Sequence, residues 1–469
     1  MVEQVDVVVV GLGPGGEDAA GRLAEAGLSV VGVDRRLVGG ECPYYGCIPS
    51  KMMIRAGNAL AEARRVNGLA GHAEATPDWA PVAARIRDEA TDNWNDRVAV
   101  DRLVGKGVRF VRGTARLVGP ATVEMSDVSE VSGVDGAVGA DDGVRRFEAR
   151  RAVVLAAGTE PVVPPVPGLT ETPYWTNREA LRTAELPAEL LVLGGGAVGL
   201  ELAQAFARFG AAVTVIEASD RVLAVEEPES SDLARRAIEA DGVSVHTGYS
   251  AKVVSHVDGR FTVGLEDGSH LAGTHLLVAT GRRTDLRGLG VDTVGLDPTA
   301  RAVPVDDRMR AGDRLYALGD ITGKGAFTHM SMYQADIVVR DILGQGGPGA
   351  DYRAVSRVTF LDPEIGAVGM TEAQARDAGL AVRVAVSELP RSARGWIHKA
   401  GNDGFIKLVA DTDRGVLVGA TSAGPTGGEV LSALAVAVHA EVPVATLRHM
   451  IYAYPTFHRA IEDAVKRLD

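Results

Sequence analysis

The chain reads as an α/β protein with two Rossmann-like dinucleotide-binding folds and a C-terminal α+β domain. Three observations carry that reading. Two segments repeat one layout, each contains a glycine-rich turn of the same spacing, and the last ~120 residues alternate strand and helix patterns with no such turn. At 469 residues the length suits about three domains, and 46% hydrophobic content supplies their cores.

The first segment, "VDVVVVGLGPGGEDAAGRLAEAGLSVVGVD", opens with a β-branched strand, turns through Gly11, Gly13 and Gly16, and continues as an Ala-rich helix. A second strand then ends in Asp34. The second segment, "ELLVLGGGAVGLELAQAFARFGAAVTVIE", repeats the order through Gly194, Gly196 and Gly199 to Glu217. In each turn the first glycine permits the tight bend, the second lets backbone approach a pyrophosphate, and the third lets helix and strand pack closely. Each terminal acid lies 18 residues past the last glycine, where a carboxylate can bond an adenosine ribose. One such turn alone is compatible with a plain strand-to-helix bend. Two copies with matching acids predict two bound dinucleotides.

Between the segments, "VRFVRGTARLVGPATVEMS" and "RRFEARRAVVLAAGT" alternate as strands do. They flank "DVSEVSGVDGAVGADDG", an insert with five acids and no base that reads as a solvated loop. After "GAFTHMSMYQADIVVRDIL", the stretch "GQGGPGADY" is a glycine-rich joint to the last domain.

The net charge of −13 argues against nucleic acid or an anionic membrane as partner, since both reward a basic face. The start "MVEQVDVVVVGLG" has no positive n-region and reads as a strand rather than a signal peptide. The most apolar long window is interrupted by Glu201, Gln204 and Arg208, too polar for a bilayer span. A cytoplasmic location is therefore expected.

The chain has two cysteines, Cys42 and Cys47, five positions apart in "GGECPYYGCIPSK". A zinc site needs more ligands than a lone pair offers, so no metal is expected. A chance pair of buried thiols and a redox couple remain. Position favours the redox couple: Gly46 and "CIPSKMMIRAGNALAEARR" predict a helix beginning near Cys47, whose N-terminal dipole would stabilise a thiolate. In the cytoplasm a lone pair is more often catalytic or redox-sensing than a staple.

That stretch, set between two dinucleotide folds, resembles the flavoprotein disulfide reductases, the family of lipoamide dehydrogenase, glutathione reductase and mercuric reductase. "VLAAGT", "VATGRRTD", "LYALGDITG", "FLDPEIGAVGMTEAQA" and "GFIKLVAD" extend the likeness over nearly the whole chain. The resemblance implies an FAD-binding domain in two parts, 1–155 and 279–343, a nicotinamide-dinucleotide domain at 156–278, and a dimerisation domain at 344–469. It implies FAD in the first fold, with Asp320 on the ribityl chain and Gly158 and His329 also at the cofactor. Gly281 joins the second fold's glycines at the nicotinamide dinucleotide. Cys47 would lie against the flavin, Cys42 would exchange with substrate, and Lys51 would stand beside the flavin with Glu201 as partner. Glu217 favours NADH over NADPH, because a carboxylate repels a 2′-phosphate, although Arg221 four residues on could soften that preference. A homodimer is expected.

The carboxyl end departs from the family. Disulfide-reducing members carry His-Pro-Thr with a Glu five residues after the His, an acid/base pair. Here "YAYPTFHRAIED" places Tyr454 and Arg459 at those positions. Disulfide reduction consumes two protons and hydride brings one, so a missing base is costly. Tyr454 can donate a hydrogen bond but is a poor base at neutral pH. His458 is the other candidate, expected one helical turn from Tyr454 on the same face. With no third cysteine, the chain is not expected to be a conventional mercuric reductase or a thioredoxin reductase with a C-terminal pair.

The expected function is an FAD-dependent oxidoreductase passing electrons from NADH through Cys42/Cys47 to an unidentified small-molecule or disulfide acceptor. Direct reduction of quinones or electrophiles from the flavin, and a redox-sensing flavoprotein, are the alternatives. Tyr44 and Tyr45 between the cysteines are expected to narrow access.

Overall fold

The computed structural model describes residues 2–132 and 144–468. It divides into two compact units. The first comprises residues 1–49, 87–161 and 282–351; the second comprises 50–86, 162–281 and 352–469.

The first unit is built on a seven-stranded sheet. Its opening strand, Val2–Val10, pairs in parallel with both Val30–Asp34 and Arg145–Leu155. The run of valines leaves no helical period, and Val7, Val8 and Val9 are fully buried, as in a sheet covered on both faces. Pro14–Glu25 follows the first glycine turn as a helix, with proline at its first position. It packs on the helix Thr328–Ile342 so closely that a Cβ at Gly15 would stand 2.6 Å from the Ser331 carbonyl oxygen.

The acidic insert differs in part from expectation. Residues 127–132 complete the strand Thr122–Ser132, antiparallel to Arg109–Gly119 with Phe110 opposite Ser132. Backbone pairing with a neighbouring strand outweighs the charge there. Residues 133–143 of the insert lie outside the described residues.

The second unit carries a four-stranded parallel sheet in the order His275–Val278, Glu189–Leu193, Ala212–Glu217, Ser244–Thr247. The helix Ala197–Phe209 connects two of these strands, repeating the strand, turn and helix of the first unit. Its last third is a five-stranded antiparallel sheet in the order Ser356–Thr359, Glu364–Gly369, Val416–Gly424, Phe405–Asp411, Val382–Glu388. The helices Gly427–His439 and Ala460–Val465 close a core around Ile406, Leu408, Leu431 and Ile461. Among the described residues no helix is long and apolar enough to cross a membrane.

Candidate functional site

The two glycine turns are alike atom for atom where it matters. Gly11 and Gly194 take positive φ (93° and 109°), which only glycine adopts without strain here. A Cβ at Gly16 would run into the Gly11 carbonyl oxygen, and one at Gly199 into that of Gly194. Gly13 and Gly196, in contrast, face open space and end in helix N-termini that no side chain caps. Such a terminus offers N–H groups and positive dipole to a pyrophosphate. The acids repeat the symmetry. Asp34 Oδ2 accepts from Leu12 N at 2.7 Å and Oδ1 from Arg36 N at 2.7 Å; Glu217 Oε2 accepts from Gly195 N at 2.6 Å and Oε1 from Ser219 N at 2.7 Å. Each carboxylate is thus fixed beside its own glycine loop. Burial pushes the Asp34 carboxyl above its ordinary range, against the backbone hydrogen bonds that pull it down. Both loops fit a dinucleotide.

Arg221 is committed to its own loop. Its guanidinium donates to the carbonyl oxygens of Leu223, Ala224 and Glu226 and to Ser231 Oγ.

In the first unit the cysteine segment abuts the phosphate turn, since a Cβ at Gly40 would stand 2.8 Å from Gly13 Cα. Gly39 and Gly40 both have positive φ, and the short helix Glu41–Tyr45 follows. Cys42 is half-buried on it; Cys47 is exposed and begins the helix Cys47–Arg65. Cys47 Sγ also lies 3.5 Å from Oγ1 of Thr328, the first residue of the helix Thr328–Ile342. Two helix N-termini therefore meet at this sulfur, an electropositive setting for a thiolate. Tyr44 between the cysteines is buried, and Trp94 Nε1 donates to its carbonyl oxygen at 3.1 Å. Tyr44 is thus a packed residue rather than one that narrows access.

Asp320, in the same unit, accepts from Thr159 Oγ1 at 3.0 Å, and Arg282 donates to Thr159 Oγ1 and its carbonyl oxygen. Burial raises the Asp320 carboxyl, with the Thr159 bond and the Arg282 charge opposing. Gly158 beside them has φ 64° and open space at its Cβ. His329 stacks on Phe327, with rings 5.2 Å apart and nearly parallel. In the second unit Gly281 has φ 111° and equally open space.

Also in the second unit, Lys51 Nζ and Glu201 Oε2 are 2.8 Å apart. Glu201 is buried; its other oxygen accepts from Phe360 N at 2.8 Å, and the Lys51 ammonium sits 4.6 Å from the Phe360 ring centroid.

The carboxyl end corrects one expectation. Turns at 454–455 and 458–459 precede a helix that starts only at Ala460, so Tyr454 and His458 share no helical face. A residue before proline disfavours helix, and Pro455 holds the chain open here. Tyr454 is exposed with Arg459 over its ring, whereas the His458 ring packs 5.3 Å from that of Tyr452. Among the described residues no group of three His, Cys, Asp or Glu could hold a metal.

Residues 5–335 match the pyridine nucleotide-disulphide oxidoreductase family model, and residues 355–465 match its dimerisation domain. The chain belongs to this family. Dihydrolipoyl dehydrogenase of Haloferax volcanii is 32% identical over 98% of this chain and 95% of its own length. Mercuric reductase of Acidithiobacillus ferrooxidans is 30% identical over 99% and 82%. Among solved structures, the Cu(II) complex of RclA, an HOCl-induced flavoprotein disulfide reductase from Escherichia coli, superposes with a TM-score of 0.84 at 25% identity over the full length of both chains. LpdA from Mycobacterium tuberculosis superposes with a TM-score of 0.84 at 26% identity, also over the full length of both. This pyridine nucleotide-disulphide oxidoreductase is accordingly an NAD(P)H-dependent flavoprotein enzyme.

Four neighbours of the expected residues escaped the sequence reading of this oxidoreductase. Thr328, Thr159, Trp94 and Phe360 act through a hydroxyl, an indole N–H or a main-chain N–H. Thr159 ends "VLAAGT", Phe360 opens "FLDPEIGAVGMTEAQA" and Thr328 precedes His329 at a helix start, but no spacing marks what these residues contact, and Trp94 left no trace at all.

Proposed function

We propose that the protein is an FAD enzyme that takes hydride from NADH and relays the electrons through Cys42 and Cys47 to an acceptor other than a lipoamide-type disulfide. The observation that carries this reading is Cys47 Sγ at the head of one helix and 3.5 Å from the first residue of another. That position suits the thiolate of a redox pair better than a packed bystander.

Gly11, Gly13, Gly16, Asp34, Gly158, Asp320 and His329 would hold FAD; Gly194, Gly196, Gly199, Glu217 and Gly281 would hold the nicotinamide dinucleotide. Bound there, FAD supplies the two-electron carrier between reduced nicotinamide and the cysteine pair. Lys51, paired to Glu201, would be the cation that stabilises negative charge as FAD is reduced. Reduction of the Cys42–Cys47 disulfide takes two electrons and two protons, one from the hydride and one from solvent, and yields two thiols. Re-forming the Cys42–Cys47 disulfide would return those two electrons to the acceptor and release the two thiol protons to it or to solvent, Cys42 being the thiol that meets the acceptor.

NADH is favoured because both Glu217 oxygens are fixed at the loop, and Arg221 spends its donors on four local acceptors rather than offering them to a 2′-phosphate. Tyr454 and Arg459 stand where a carboxylate-supported imidazole would be, which disfavours slow-exchanging disulfides as acceptors. A homodimer fits the dimerisation-domain match. Trp396 and Ile451 in that domain are 77% and 96% exposed in the single chain, apolar side chains that a second copy would cover.

The test is anaerobic titration of the FAD-loaded protein with NADH. A long-wavelength absorbance from a thiolate beside the flavin should develop and should vanish in Cys47→Ser. Its persistence in that variant would remove Cys47 from the role.

A further inference from the structure

One face of the helix Ala197–Phe209 carries three buried polar side chains in succession: Glu201, Gln204 and Arg208. All three reach the same short segment, Phe360–Asp362, 158 residues downstream of Gln204 in the case of Asp362. Glu201 Oε1 accepts from Phe360 N at 2.8 Å. Gln204 Oε1 accepts from Asp362 N at 2.9 Å while its Nε2 donates back to the Asp362 carbonyl oxygen at 3.1 Å. Arg208 Nη2 donates to Asp362 Oδ2 at 2.8 Å.

The far end of this ladder is held in turn. Arg208 is 3% exposed and also bonds Asp241 and Asn58, and Asp362 takes a second bond from Arg65 at 2.6 Å. Buried charges tied into such a network are costly to disturb, so the segment has one position relative to the helix.

That position puts the Phe360 ring under the Lys51 ammonium, 4.6 Å from its centroid, while the Phe360 main chain fixes the carboxylate that pairs with the same ammonium. A half-buried ion pair between flexible side chains would otherwise sample several geometries. An aromatic face takes a cation without competing for its hydrogen-bond donors.

We propose that Phe360 is a positioning residue for the Lys51–Glu201 pair, its ring capping the ammonium and its N–H orienting the carboxylate, with Gln204 and Arg208 clamping it in place. The inference rests on the role given to Lys51 above for its catalytic meaning, but not for its test.

The test measures how fast Lys51 in the FAD-loaded protein reacts with an amine-acylating reagent, read by mass spectrometry against the other lysines as internal standards. Phe360→Leu keeps the main-chain N–H and most of the bulk but loses the aromatic face. Phe360→Tyr keeps both. Loss of the cap should raise Lys51 labelling about fivefold in the Leu variant, and the Tyr variant should stay within about twofold of the parent. Unchanged labelling in Phe360→Leu overturns the proposal, and so does an equal rise in both variants, since the aromatic face would then be irrelevant. Lys51→Met is the separate check on the catalytic reading. A flavin reduction potential unmoved by that change would remove Lys51 from flavin chemistry and leave the labelling result on Phe360 intact.

Discussion

The Arg459 guanidinium lies over the ring of Tyr454, 5.4 Å from its centroid, and bonds the Glu462 carboxylate three residues on. Where disulfide-reducing relatives were expected to carry an imidazole and its carboxylate, this chain stacks a phenol, a guanidinium and an acid. Tyr454→His alone should restore little activity toward dihydrolipoamide, because the guanidinium disfavours the imidazolium the step needs. Tyr454→His with Arg459→Glu should raise that activity, by up to the ~10²–10⁴ such a catalyst supplies. Glu462 keeps Lys466 as a partner at 2.6 Å, so the double change does not leave it stranded. Steady-state assays of the two variants decide this; equal rates would show that proton transfer is not what limits disulfide turnover.

His458 is turned to the Tyr452 ring and half-buried, which suits packing better than proton transfer. His458→Ala should lower stability by about 0.5–1.5 kcal/mol, the worth of a ring pair, and leave kcat with the native acceptor within about threefold, far less than a lost general base costs. Loss of most activity in a folded variant would make His458 the proton carrier.

The proposed preference for NADH rests on Glu217. NADH should exceed NADPH in kcat/KM by at least about tenfold, a difference of ~1.4 kcal/mol. Glu217→Gln should narrow the gap by removing the repulsion while keeping an acceptor for Gly195 N. Equal efficiencies in the parent would mean that a base elsewhere offsets the acid.

Most of this site was legible where a motif fixes it in a short span. Gly11 to Gly16 and Gly194 to Gly199 dictate strand, turn and helix through local sterics alone, and Asp34 and Glu217 end the next strands because the βαβ unit has a set length. The helix start at Cys47 was legible for the same reason. Phe360 was not, because its contribution is a main-chain N–H and a ring face brought to Glu201 across 159 residues, and neither leaves a pattern in composition. The strand at 127–132 was missed because acids usually mark solvated loops, yet paired backbone tolerates them. The helical face expected for Tyr454 and His458 failed on Pro455, which can open a helix but restrains the residue before it.

Burial pushes the Tyr44 phenol up to about 12, whereas an unfolded chain releases that proton near ~10. The folded state therefore holds the proton over this window and the unfolded state does not. Stability should fall as pH rises from about 10 toward 12, by at most ~1.4 kcal/mol per pH unit from this group. Urea denaturation at about pH 9 and about pH 11, either side of the unfolded value, should show a shallower loss in Tyr44→Phe than in the parent. Tyr316, also pushed up to about 12 by burial, should leave part of the decline in that variant. Identical slopes would mean that Tyr44 is not shielded.

The route of the electrons is tested most directly by NADH oxidation in Cys42→Ser, measured in parallel with the flavin's reduction by NADH. The acceptor panel is lipoamide, small disulfides, quinones, dioxygen, Hg(II) and Cu(II). If electrons leave through the cysteine pair, the variant's flavin should still be reduced at near the parent rate, while turnover with the parent's best acceptor should fall by at least about a hundredfold. Turnover with that acceptor at the parent rate would contradict the account, because the electrons would then pass from flavin to acceptor without the pair.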